Sequence, residues 1–211
     1  MHYQSAQAID TEDQNDTQAP ALKTAGRPRS EASRTAILDA TRRLMTHTGV
    51  RDLSIEAIAK RAGVGKTTIY RWWPNKVAVV IEAFAEQLDM HMLSAGNETP
   101  SENLTRQLER LMRQLRGRNG KIIADLLAEA QSDAKVLEQF NHFYLQSRRL
   151  AFGNTILAGQ KAGKFSETLN TEMAVDMILG PIFLRLMRQP DGLDEAFSTA
   201  YPAMAIHALG A

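Results

Sequence analysis

Few residues of this 211-residue chain are spaced to make or break bonds. It has no cysteine, which removes disulfides, thiolate zinc sites and a catalytic thiol together. Its five histidines, His2, His47, His91, His142 and His207, are scattered. None forms a His-x-x-x-His pair, and no carboxylates gather around one at metal-ligand spacing. No Gly-x-Ser-x-Gly elbow presents a nucleophile. One stretch does suggest phosphate chemistry. Gly63-Val64-Gly65-Lys66-Thr67-Thr68 contains the Gly-Lys-Thr that ends a nucleotide-binding loop. Such a loop needs a glycine five positions before the Gly of Gly-Lys and a buried strand leading into it. Position 60 is Lys60, and residues 54–61 pattern as an amphipathic helix. No enzymatic activity, cofactor or metal is expected.

The same residues are well suited to binding without reaction. Lys66-Thr67-Thr68-Ile69-Tyr70-Arg71-Trp72-Trp73 is short, rich in donors, and has two apolar residues four apart, Ile69 and Trp73. On a helix these face inward, onto Ile55, Ile58 and Val64, and leave Thr67, Thr68, Arg71 and Trp72 toward a groove. Backbone N–H groups at the helix start, beside Lys66, suit a phosphate. The charge distribution agrees. Residues 26–76 carry eleven Lys/Arg against Glu31, Asp39, Asp52 and Glu56, a net +7, whereas residues 1–25 and 77–211 each carry −3. A basic block beside an acidic remainder is the footprint of a small nucleic-acid module on a body that does not bind.

The elements that must position these residues are all helical, since no stretch alternates apolar and polar for long enough to be a strand. Residues 1–25 are polar, acidic and without period, and read as a disordered tail. Order is expected from Ser30, with a first helix through Ile37, Thr41, Leu44 and Met45 that stops at Gly49. Ser54 is an N-cap for a short helix with Ile55, Ile58 and Ala59 inside. Ala62-Gly63-Val64-Gly65 is a tight turn, and the Lys66–Trp73 segment ends at Pro74. Two short helices across a glycine turn, behind a longer one, describe a three-helix helix-turn-helix. Beyond Pro74 helices are expected over 76–94, 101–116, 121–130, about 133–162, 171–188 and 193–209, with Gly117 and Gly120 as interruptions.

The residues Ile58-Ala59, Ala62-Gly63-Val64, Lys66, Tyr70-Arg71, Trp73-Pro74 and Lys76 closely resemble the DNA-binding signature of the tetracycline-repressor (TetR) family. Gly26-Arg27-Pro28-Arg29 is similar to the family's basic lead-in, and Ile37-Leu38-Asp39-Ala40 to its first helix. The match is dense over residues 26–82 and loose beyond, where Leu179-Gly180-Pro181-Ile182-Phe183 looks like a penultimate helix. Gly65 stands where the family usually has a Ser cap, and Trp73 where it usually has Phe; both are acceptable in those places.

The resemblance implies roles by matching position. Thr67, Thr68, Arg71 and Trp72 would touch base edges or nearby backbone in the major groove, with Arg71 gripping guanine. Ser54, Lys66, Tyr70 and Lys76 would hold phosphates, and Arg27 and Arg29 would reach the minor groove. It also implies an N-terminal tail (1–25), a DNA-binding domain (26–76) and a helical regulatory and dimerisation domain (77–211). The body's helices would enclose an apolar effector among Phe84, Leu88, His91, Met92, Met112, Phe140, Phe143, Tyr144, Met177 and Phe183, with His142 a further polar candidate. The last two helices, apolar nearly all round, would pair with their copies, and a charge at Ile178 would break that pairing. The expected protein is a cytoplasmic homodimeric repressor that binds palindromic double-stranded operator DNA and releases it on binding a small effector. No apolar run is long enough to cross a membrane and no secretory signal is visible. The alternative is a similar DNA-binding protein without an effector, controlled by a protein partner or acting architecturally.

Overall fold

The computed structural model describes residues 30–88, 98–188 and 192–210, all helix and connecting turns. Four helices build the N-terminal end: α1 (Glu31–Leu44), α2 (Ile55–Ala62), α3 (Lys66–Tyr70) and α4 (Lys76–Leu88). The body is α5 (Pro100–Gln114), α6 (Arg118–Ala130), α7 (Ala134–Phe140), a π-helical segment (Asn141–Leu145), α8 (Gln146–Lys161), α9 (Thr171–Arg188) and α10 (Glu195–Ala208). The N-terminal tail, with Arg27 and Arg29, lies outside the described residues, as do His91 and Met92.

The helices start where capping chemistry dictates. Ser30 accepts from Ser33 N, and Ser54 from Ala57 N at 3.1 Å. Thr99 and Glu102 form a reciprocal capping box, while Asp194 accepts from Phe197 N. Each satisfies an amide that the first helical turn would otherwise leave unpaired. α1 ends at Leu44, short of the expected Gly49, because the chain tightens there: Thr46 N and His47 N reach back three residues to Arg43 O and Leu44 O. Gly120, expected to interrupt, lies inside α6. Its role is close approach, since a Cβ there would fall 2.0 Å from Leu115 O and 2.7 Å from Leu186 Cδ1.

α1 packs on α2 and α4, and α4 runs on into the body against α7 and the π segment. α8 lies between α5 and α9, which is why it has no single apolar face. The buried residues of the two ends form one continuous core from Ile37 through Val79 and Phe84 to Phe152 and Ile182. In the long helix Val136, Phe140, Tyr144, Arg148, Phe152 and Ile156 are buried at every fourth position. Each four-residue step of an α-helix turns a side chain about 40° around the axis, so such a stripe would wind off the core. The wider π turn at 141–145 takes back part of that drift and keeps the stripe inside.

Candidate nucleic-acid interface

The helix-turn-helix is set by three local devices. Ser54 caps α2. Gly63 then turns the chain in the left-handed conformation (φ 67°), which glycine adopts without steric cost. Finally α3 is pinned from inside by Ile69 and Trp73, 0% and 3% exposed, as the four-residue spacing requires. The side of α3 away from this anchor carries Lys66, Thr67, Tyr70 and Arg71, all exposed, and Thr68, half-buried. Tyr70 is 54% exposed and so takes no part in the core. Trp72 stands between the two faces: it is half-buried, packed on the core, with its ring 6.1 Å from that of Trp73. Gly65 caps α3 without any side-chain hydrogen bond.

Three of the expected phosphate contacts are engaged inside the protein. Lys66 Nζ pairs with Glu56 at 3.1 Å. The hydrogen bonds of Glu56 to its own backbone N–H and to Lys66 hold its carboxyl below the usual range. Ser54 Oγ is committed to the α2 cap. Lys76 Nζ donates to Arg51 O at 2.7 Å and Leu53 O at 3.0 Å, closing the loop ahead of α2 onto the start of α4. Arg71, by contrast, is exposed and forms no ion pair with a described residue.

A residue the motif reading missed ties the reading head to the body. Glu82 on α4 accepts from Arg34 of α1 and, at 2.5 Å, from Trp73 Nε1 at the end of α3. One carboxylate, 12% exposed, thus fixes α1, α3 and α4 relative to one another. No local pattern marks it, because its partners lie 48 and nine residues away. A second tie comes from Arg118, at the start of α6, whose guanidinium donates to Met45 O and to Thr48 O (3.0 Å) just beyond α1.

In the body, Phe84, Met112, Phe140 and Tyr144 are buried together in the core, and Phe183 packs against it half-buried. Phe143 and Met177, expected inside, stand 37% and 39% exposed on the outside. His142 is exposed with its ring edge-on to Phe143. It lines an open groove of 920 Å³ between the 134–150 helix and α9, together with Leu137, Glu138, Arg149, Glu172 and Asp176. The side chain of Leu88 lies outside the described residues, as do His91 and Met92.

Met173, Met177, Leu184 and Met187 form an exposed apolar stripe along α9, with Gly180 at its middle. α10 exposes Ala196, Ala200, Ala203, Met204 and His207. Ile178, by contrast, is 1% exposed within the single chain, and Tyr201 OH of α10 donates to its carbonyl at 2.6 Å. The expected use of Ile178 as a contact between copies is therefore corrected: its side chain is already covered by its own subunit.

No helix among the described residues is long and apolar enough to cross a membrane. The profile of the bacterial regulatory proteins, tetR family, matches residues 37–83, and that of the tetracyclin repressor-like C-terminal domain matches residues 95–204. An uncharacterized HTH-type transcriptional regulator of Bacillus subtilis, YdeS, is 33% identical over 172 residues, 82% of this chain and 87% of that protein. Among solved structures, the TetR-family transcription regulator SCO0332 is similar with a TM-score of 0.71 at 24% identity, over 84% of this chain and 98% of that one. FadR from Bacillus subtilis, in complex with stearoyl-CoA, gives a TM-score of 0.63 at 22% identity over 82% and 97%. With a glycine-turn helix-turn-helix held on a helical body, and with both parts matching, the chain is a helix-turn-helix transcriptional regulator of the TetR family.

Proposed function

We propose that this regulator is a ligand-responsive repressor that binds a palindromic operator as a homodimer through α9 and α10, and that it acts in the cytoplasm without bond chemistry. The observation that carries the reading is the division of α3: Ile69 and Trp73 anchor one side while Thr67, Tyr70 and Arg71 stand free on the other. An anchored helix with exposed donors presents them to base edges in a fixed register. The dimer is supported by the uncharged stripe of α9 and the alanine-rich outer face of α10, which a lone subunit leaves in water. Small residues on both let helices approach closely. Control by a ligand is supported by the stearoyl-CoA bound in the structurally similar FadR.

The experiment is selection of bound sequences from a random duplex pool. Expected is a palindrome whose half-site centres lie about 34–36 Å apart, or a multiple of that. Enrichment of no sequence, or of a single unrepeated half-site, would contradict the reading.

A further inference from the structure

We propose that Arg148 and Tyr144, buried in the body, bind the acid group of an anionic ligand with an apolar chain. The inference rests on the reading above that the body takes a small molecule, and it names that molecule's chemistry. Arg148 is 1% exposed, yet forms no ion pair with any described carboxylate. Its neighbour Arg149, on the outer side of the same helix, is paired with both Glu172 and Asp176. Arg148 instead donates from Nη1 to Tyr144 O at 2.5 Å and stacks over the Tyr144 ring, 3.8 Å from its centroid. A buried cation held, among the described residues, by a carbonyl and a ring face is costly, and such groups are otherwise paired with an anion.

The Tyr144 hydroxyl is fully buried with no hydrogen-bond partner among the described residues. Burial pushes its pKa up to about 12, so it stays a neutral donor at any physiological pH. Stacking places the guanidinium and this hydroxyl on one small region. Together they offer an acid group a charged fork and a further donor. Two turns along the same face of α8, Thr155 accepts from Gln107 Nε2 of α5 at 2.9 Å, and Gln107 Oε1 is also buried without a partner among the described residues. The surrounding core is apolar: Phe84, Met112, Phe140 and Phe152 are at most 3% exposed and belong to the same buried cluster as Tyr144. An acid group at Arg148 would pair the buried charge, and its hydrocarbon chain would enter by parting these apolar side chains. The π segment that carries Tyr144 packs on α4, so a ligand there would bear directly on the helix that holds the reading head.

The test uses the full-length protein and titrates octanoate, decanoate and dodecanoate beside the alcohols and alkyl phosphates of the same chain length. Binding is read by calorimetry and by thermal shift. The wild type should bind an acid series, carboxylate or phosphate, and discriminate it from the alcohols by about tenfold or more. R148M should lose that discrimination while melting no lower than the wild type, since it removes an unpaired buried charge. Y144F should weaken acid binding several-fold. Should R148M not fold, Y144F and R148K carry the comparison. Equal affinity of the wild type for acids and alcohols, no binding of any acid, or acid binding unchanged in the variants would overturn the proposal. Acid binding through Arg148 that leaves operator affinity unchanged would defeat ligand control and leave this site standing.

Discussion

Arg71 and Lys76 are both cations of the basic block, but their surroundings separate them. Arg71 is exposed at the end of α3 without an ion-pair partner among the described residues, so its fork is available to a base edge. Lys76 spends its ammonium on Arg51 O and Leu53 O, the carbonyls that lead into α2. Its charge can still attract phosphate, but its first role is to hold the loop. Lys76→Met is therefore expected to destabilise the fold by about 1–2 kcal/mol, the loss of hydrogen bonds from a charged donor, and to weaken binding to all duplexes alike. Urea melts beside binding to operator and random DNA check this; weaker DNA binding at unchanged stability would return Lys76 to a purely phosphate-binding role.

Among the elements, α9 shows most directly what a dimer would cover. Met173, Met177, Leu184 and Met187 fall within one narrow stripe at helical spacing, and Gly180 leaves a shallow place at its centre. Leu184 is 52% exposed in the single chain, so a charge there need not disturb the subunit's own core. Leu184→Glu is expected to leave the helix content and melting of the monomer intact and to shift scattering mass from dimer to monomer at micromolar concentration. A dimer persisting in that variant and in Met177→Asp would remove α9 from the interface. The apolar character of α9 and α10 was legible in the sequence, but their direction was not. Ile178 and Leu184 read alike along the chain, and only the packing of α9 on α8 and α6 tells which is inside. The helix-turn-helix, by contrast, was legible nearly whole, because Ser54, Gly63, Ile69 and Trp73 act over a few residues each. Arg148 was missed for the opposite reason. A charged residue ordinarily marks a solvated face, and nothing near it in sequence reveals that a π turn carries it inward.

For the whole molecule, the question is how the body could move the reading head. α4 leads from the helix-turn-helix into the body, and Glu82 is its grip: α1 through Arg34 and α3 through Trp73 meet on one carboxylate. Arg118 adds a separate tie from α6 to the end of α1. A displacement of α4 by a ligand would therefore carry α1 and α3 with it. Glu82→Gln keeps the shape but loses the charge, and should lower stability by about 1–3 kcal/mol as the half-buried Arg34 and buried Trp73 donors lose their ionised acceptor. Denaturant melts should show it; no change in midpoint would mean that this junction does not hold the two ends together.

The central claim is that α3 reads DNA sequence, and binding of wild type and Arg71→Ala to a selected operator and to a random duplex of equal length tests it most directly. Fluorescence anisotropy at one fixed salt concentration gives all four affinities. Arg71→Ala should weaken operator binding by about 1–3 kcal/mol and leave binding to random duplex nearly unchanged, since a bidentate contact to a base discriminates by that amount. Equal losses on both duplexes would reduce Arg71 to a phosphate contact and contradict the claim.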